Sequence, residues 1–273
     1  MKTAPINFKK YVLLSFLALG LSLSSCRKVV EVPIVHTKVQ VPIVVKVTGE
    51  NCPFCGGYGW TNWETISTDL ADIAFCWANY AGNYAPADGF RGNELRKPNS
   101  DAVALLGEFS GVTGYPNFVT NMVSSGTSIA GASRKAYISA GSTEVKISAG
   151  FKHNIQGNTL TVNAEAKLWD DLNGDYYMGA YVVEDKIIAY QEGNSAGNNA
   201  SHHLVFRGSM SSSTWGEQIF TGSARSGDIL RKTFSVTLPS DYNKSNLTYG
   251  IIIWKKVGDK YSYVNAATNQ KAH

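Results

Sequence analysis

The sequence predicts a two-domain α+β chain, an α/β unit over residues 43–134 followed by an antiparallel β-sandwich over 135–273. Three observations predict it. Between residues 43 and 122, apolar strand-like runs alternate with helix-compatible stretches in the order strand, helix, strand, helix, strand. Beyond residue 135, short runs rich in β-branched and aromatic residues are separated by Gly, Asn, Asp and Ser, the pattern of an antiparallel sandwich. A Ser/Gly-rich stretch at 124–134 marks the break between the two halves.

Ahead of these domains lies an export signal. Lys2, Lys9 and Lys10 supply a basic start, and Tyr11 to Leu23 is an apolar run too short for a stable transmembrane span. Leu23-Ser24-Ser25-Cys26 closes it with a branched aliphatic, two small residues and a cysteine. Small side chains let a signal peptidase reach the bond before Cys26, and the thiol accepts lipid. Residues 1–25 are thus expected to be removed, and Cys26 to carry the membrane anchor at the head of a tether over 26–42. Arg27 and Lys28 follow it, with no aspartate to favour inner-membrane retention, so the outer membrane is the expected address.

Removing residues 1–25 takes three lysines and no acids, and the net charge falls from +4 to +1. A near-neutral chain gives no electrostatic case for nucleic acid. With Cys26 committed to lipid, Cys52, Cys55 and Cys76 remain in an oxidising compartment, enough for one disulfide and one spare thiol.

Each element has a local reason. Val-Pro-Ile-Val occurs at 32–35 and 41–44, and its prolines exclude a helix interior, so the chain runs extended into a strand at Ile43–Val47. Trp63–Leu70 is helix-compatible, Ile73–Trp77 is an apolar strand, and Ala78–Ser100 is a Gly-, Asn- and Pro-containing loop. Ser100-Asp101 offers a cap for a helix over Ala102–Phe109, and Gly114-Tyr115-Pro116-Asn117 turns into a strand at Phe118–Met122. The sandwich strands are expected at 144–151, 159–167, 179–191, 202–207, 230–238, 247–255 and 261–266.

Cys52-Pro53-Phe54-Cys55 is the sharpest chemical feature. A C-x-x-C after a strand and before a helix places the first sulfur at exposed backbone N–H groups, which favour thiolate and nucleophilic attack on disulfides. Pro116 stands where thioredoxin-like folds set a cis-proline against the cysteine pair. Against a working redox centre stand Gly56, Gly57 and Gly59, poor residues for starting the activating helix, and Cys76 as a competing partner. Two readings follow: a catalytic pair with Cys52 attacking and Cys55 resolving, or a structural disulfide.

Other candidates read as structure. His202 and His203 are adjacent in a strand and point to opposite faces, so they do not share a metal. Asp171-Leu172-Asn173-Gly174-Asp175 begins like a calcium loop, but Tyr176 and Val182 stand at positions six and twelve, so a tight hairpin turn is expected. Tyr58, Trp60 and Trp63 form either an aromatic binding face or core packing. No phosphate loop, serine elbow or catalytic carboxylate pair is present, and neither a metal nor a cofactor is expected.

Taken in order, several stretches resemble the Omp28-related family of outer-membrane lipoproteins of Bacteroidota-type bacteria. They are Thr48-Gly49 leading into Cys52–Cys55, Gly114–Asn117, Val183-Glu184-Asp185-Lys186-Ile187 with Gln191, His203–Arg207 followed by Gly216-Glu217, and Val264-Asn265-Ala266. The resemblance implies a thioredoxin-like N-terminal domain, a β-sandwich C-terminal domain and residence in the outer membrane. It also implies a surface antigen, adhesin or receptor with a protein or glycan ligand. The expected function is therefore a non-enzymatic, lipid-anchored binding protein; the alternative is an envelope thiol–disulfide oxidoreductase using Cys52 and Cys55.

Overall fold

The computed structural model of the chain describes residues 33–84, 95 and 99–270. The export signal, Cys26 and the start of the tether lie outside the described residues, as does much of the loop expected over 78–100. Ile34–His273 form one compact unit rich in β-structure.

Strand β1 (Ile43–Thr48) is buried at every position, as expected of a strand covered on both faces. The chain then forms a single helical turn, α1 (Pro53–Gly56), and restarts as α2 (Tyr58–Asp69). Strand β2 (Phe75–Tyr80) pairs in parallel with β1, Ile43 lying opposite Phe75. Helix α3 (Ser100–Glu108) is capped by Asn99, whose side chain accepts from the Ala102 N–H at 3.1 Å. The cap expected at Ser100-Asp101 thus lies one residue earlier, and Asp101 instead binds the Ser209 N–H and the Thr214 hydroxyl. Strand β3 (Asn117–Thr120) runs antiparallel to β1 and is followed by β4 (Val123–Ser124).

The stretch expected as the break between halves is not a linker. Helix α4 (Ile129–Ala140) occupies it, started by the Ser128 hydroxyl accepting from the Gly131 N–H at 2.9 Å. A capping serine followed by Ile, Ala and Tyr outweighs the turn-like composition.

The second half supplies β5 (Ile147–Gln156), β6 (Thr159–Leu168), β7 (Leu172–Asn173), β8 (Asp175–Glu184), β9 (Ile187–Ala189), β10 (Ala200–His202), β11 (Val205–Ser209) and β12 (Glu217–Phe220). It ends with β13 (Ser223–Ala224), β14 (Ile229–Thr237), β15 (Leu247–Val257) and β16 (Lys260–Thr268). The principal sheet runs β16-β15-β8-β11-β2-β1-β3-β4, with β12 also on β8. The halves are therefore not separate bodies: β11 pairs with β2 through Val205 and Ala78, and one sheet crosses between them. A second sheet, β14-β6-β5, faces β8 and β15 to complete a sandwich around Leu160, Val162, Met178 and Ile253. Asp171–Asp175 does not form the expected hairpin, because β6 and β8 belong to different sheets. Its strand β7 pairs with β13, and Gly174 carries the chain across at φ 123°.

The extended segment before β1 is fastened to the sandwich. Asn265, wholly buried, accepts from the Val41 N–H at 2.9 Å and donates to the carbonyls of Val39 at 2.9 Å and Ile147 at 2.8 Å. His36 Nε2 lies 2.8 Å from Glu165, and Gln40 donates to the Val264 carbonyl. Replacing Asn265 with Ala removes the partner of three backbone groups, one buried at Ile147 and two part-buried at Val39 and Val41, and urea unfolding is expected to show a loss of about 3 kcal/mol. A loss under about 1 kcal/mol would mean that the segment is not held in this way.

Candidate functional site

Strand β1 delivers the chain to a turn at 49–52, and Cys52 caps α1 with extended backbone angles. Cys52 and Cys55 form a disulfide with Cα atoms 5.2 Å apart, and the Cys52 sulfur accepts from the Cys55 N–H at 3.2 Å. Pro53 occupies the first helical turn, where a missing N–H costs nothing. The Tyr115–Pro116 peptide is cis, and the Pro116 ring sits 2.5 Å from where a Cβ on Gly59 would lie. Cys76 is a free, buried thiol on β2; burial pushes its pKa up to about 12, which makes it a poor nucleophile.

The disulfide is sealed: Cys52 is 2% exposed and Cys55 is 0%. The seal comes from the other half of the chain. Gln191, fully buried, donates its side-chain amide to the carbonyls of Gly49 at 3.1 Å, Glu50 at 3.2 Å and Cys52 at 3.2 Å. The Glu192 N–H adds a bond to the Glu50 carbonyl at 2.8 Å. Contact is too close for side chains. A Cβ on Gly56 would lie 2.0 Å from the Glu192 carbonyl oxygen, and one on Gly193 (φ 78°) 2.0 Å from the Pro53 oxygen.

The clasp sits at the tip of a hairpin. Strands β8 and β11 pair through Glu184 and Val205, and the same register resumes in β9 and β10 with Ile187 opposite His202. Between them the ladder breaks at Lys186 (φ 58°) and Leu204 (φ 56°), both left-handed. Asp185 braces the break, accepting from the Leu204 N–H at 3.2 Å and lying 2.9 Å from His203 Nδ1. The outer part of the hairpin thus leaves the main sheet and lies over the C-x-x-C turn.

Beneath the turn is a dry polar cluster. Lys46 on β1 is 1% exposed, its Nζ 3.5 Å from the Cys55 carbonyl and 5.2 Å from the centre of the Trp60 ring. The gap between Lys46, Trp60, Trp63, Glu64, Tyr80 and His203 is too narrow for water. Burial lowers the Lys46 pKa to about 7, against an opposing pull from Glu64. His202 accepts from the Tyr80 hydroxyl at 2.5 Å through Nδ1 and donates to the Tyr190 carbonyl at 3.2 Å through Nε2, which defines a neutral ring. Burial, aided by the Lys46 charge, pulls its pKa to about 3. His203 lies just beyond β10, lines the same gap and turns Nδ1 to Asp185, so the two histidines take different partners without the strand alternation expected of them. The aromatic trio divides too: Trp63 is core, Trp60 packs edge-on against His202, and Tyr58 is exposed beside Phe54.

Sequence reasoning picks out Cys52, Cys55 and Pro116 but misses Lys46 and Gln191. Lys46 stands inside a strand of β-branched residues, which is a local signal for a buried charge; Gln191 gives no local signal of its role. A second concave feature lies on the sandwich. This open groove of about 600 Å³ is lined by Val35, Phe151, Lys152, His153, Thr268 and Asn269. The His153 ring lies 4.6 Å from Tyr249 and 6.4 Å from Phe151.

Fold and site together define a β-rich protein with a buried C-x-x-C disulfide clasped by a hairpin from its sandwich. The chain belongs to the Omp28 outer-membrane protein family, whose model matches residues 105–268, more than half of its length, and it is an outer-membrane protein on that basis. Among solved structures it is similar to HBP35 of Porphyromonas gingivalis. The two share 13% identity with a TM-score of 0.67, over 87% of this chain and 77% of that one, a likeness of fold alone. A domain of the outer membrane lipoprotein Omp28 from Porphyromonas gingivalis also aligns. There the identity is 12% and the TM-score 0.32, over 46% of this chain and 88% of that one, too loose to carry an argument. No curated protein matches the chain.

The Lys46 environment makes stability depend on pH. The unfolded lysine keeps its proton up to about 10.5, whereas the folded one releases it near 7, so stability rises as pH climbs between them. Lys46→Met is expected to be more stable than the native chain by roughly 4 kcal/mol at pH 7, with the gap narrowing by roughly 3 kcal/mol at pH 9.5. Urea unfolding of both chains across that range checks it; a gap independent of pH would place Lys46 in contact with water.

Proposed function

We propose that the chain is a lipid-anchored, non-enzymatic binding protein of the outer membrane, held through Cys26, which takes a protein or glycan ligand in the sandwich groove. The groove carries this reading. Its volume lies within the range of ligand sites, and it joins an aromatic wall at Phe151 and His153 to Lys152 and the polar Thr268 and Asn269. Sugars and peptides both present an apolar face with polar edges, which such walls accommodate. The sealed disulfide supports the non-enzymatic part, because an incoming thiolate has no path to Cys52 in this conformation.

The experiment is capture of envelope components, host matrix proteins and glycans by the soluble chain starting at Arg27. A saturable ligand is expected, with at least tenfold weaker retention by the Lys152→Glu, His153→Ala double variant. Finding no saturable ligand would sink the binding reading, and full retention by the double variant would remove the groove from it. In cells, Cys26→Ser is expected to move the protein out of the membrane fraction.

A second reading has its own observation. The order β2-β1-β3-β4, with β1 and β2 parallel and β3 and β4 antiparallel, supports the thioredoxin-like unit expected over residues 43–134. Lys46 lies directly beneath the Cys55 backbone, where a buried amine can exchange a proton during thiol chemistry. In that reading the chain is a thiol–disulfide oxidoreductase, Cys52 attacking and Cys55 resolving. Thiol trapping in graded glutathione buffers separates the two readings: a potential below about −300 mV marks a structural bridge.

A further inference from the structure

We propose that residues 190–199 form a displaceable cap over Cys52–Cys55, and that an extended polypeptide carrying two thiols takes the cap's place. The second clause rests on the oxidoreductase reading; the first does not.

The cap behaves as an internal occupant of a polypeptide site. Its bonds to the C-x-x-C turn come from N–H groups, the Gln191 amide and the Glu192 backbone, to the carbonyls of Gly49, Glu50 and Cys52. Those acceptors are backbone groups of the turn itself. Any extended segment with free N–H groups can satisfy them, so lifting the cap leaves a row of acceptors beside the disulfide. Phe54, 62% exposed, and Tyr58, 45% exposed, flank the same turn and offer apolar contact to an incoming chain.

The hairpin is built so that its tip can move while its base stays. The base is fixed: His202 and Leu204 are wholly buried, the Leu204 carbonyl accepts from the Ala78 N–H at 2.7 Å, and Tyr80 holds His202. Beyond Ala189 and Ala200 the pairing ends. Of the tip, only Gln191 is fully buried, while Gly193, Ser195, Ala196, Asn198 and Asn199 are exposed. Gly193 (φ 78°) and Gly197 (φ 54°) give the tip its turns. Opening therefore needs the release of one side chain and a few backbone contacts, without disturbing either core.

With the cap lifted, the exchange of the oxidoreductase reading runs in reverse from the oxidised pair: one thiolate of the polypeptide attacks the Cys52 sulfur. A mixed disulfide forms, and Cys55 leaves as a thiolate that takes up a proton. The second thiolate of the polypeptide then attacks its own sulfur in the mixed disulfide and releases Cys52. The polypeptide gains a disulfide and this chain gains two thiols, so two electrons pass between them.

The test follows the rate at which dithiothreitol reduces the disulfide in the folded, full mature-length chain from Arg27, read by thiol trapping. In the native chain the rate is expected to level off as reductant rises, because opening limits it. Gln191→Ala and Gly193→Ala are each expected to reduce at least tenfold faster. Gly222→Ala carries the same left-handed strain, φ 75°, with nothing near its Cβ, and controls for loss of stability; it is expected to match the native rate. Equal rates in all four chains, or native reduction no faster than global unfolding, would overturn the cap. Cys55→Ser combined with Gly193→Ala is expected to trap the same mixed disulfide from the product side. The Cys52 thiolate attacks an unfolded peptide whose two cysteines are joined as a disulfide, one peptide cysteine leaves as a thiolate, and no Cys55 is present to resolve the bond. Fast reduction without trapping would overturn the polypeptide clause and the oxidoreductase reading together, and the cap would stand.

Discussion

The central stretches of strands β8 and β15 are buried on both faces, and the rest of the molecule is arranged around that. Alternate side chains of each strand enter different cores: Tyr181, Val183, Ile252 and Trp254 join the core shared with β1 and β2, while Met178, Ala180, Val182, Ile251 and Ile253 face the second sheet. A slip of one residue would exchange every one of these positions, so the register is strongly specified. Where the wall must bury polar atoms, it pairs them: Trp254 Nε1 donates to the Tyr181 hydroxyl at 2.7 Å, which donates to the Thr214 carbonyl at 2.6 Å. One shared wall makes two cores a single cooperative body and fixes where the ends of β8 and β11 emerge.

That emergence places the clasp. The β8–β11 ladder stops beside a buried ion pair, Arg207 to Glu184 at 2.7 Å, with Glu184 also accepting from the Asn243 N–H at 2.7 Å. A buried pair of this kind contributes less to stability than to fixing one geometry, since desolvation offsets much of its attraction. Here the geometry fixed is the exit of the hairpin from the sheet. Two left-handed residues then turn the hairpin toward β1, and Gln191 arrives over the disulfide.

The parts of this fold legible in the sequence are those whose causes are local. The largely apolar β1, the alternating β6 and the C-x-x-C after a strand follow from residues within a few positions of one another. What was not legible depends on distant partners. Gly56 and Gly59 read locally as poor helix formers, yet each is required by close approach: Gly56 by the Glu192 carbonyl and Gly59 by the Pro116 ring. Gln191 reads as an ordinary polar residue after a strand, because its three acceptors lie about 140 positions earlier. Composition at 124–134 suggested a linker, but a capping serine and the packing of Ala132 and Ala136 make it a helix. The single sheet across both halves rests on one short parallel contact between β2 and β11, too brief to leave a pattern.

The cluster under the turn also divides along the chain. The hairpin, Gln191 and His202 fall inside the 105–268 span matched by the family model, whereas Lys46, Cys52 and Cys55 precede it. The matched span therefore includes the clasp and begins after the turn that the clasp covers. Burial lowers the pKa of both Lys46 and His202, one from each side, and an apolar pair would avoid that desolvation cost. Departures from the locally favourable choice concentrate where a fold serves a site. Gly56 and Gly193 meet across the same boundary, each needed because the other side comes too close for a Cβ. A turn and a hairpin tip shaped this closely to each other act as one unit, so the chemistry of the disulfide is governed as much by residues 190–199 as by Cys52 and Cys55 themselves.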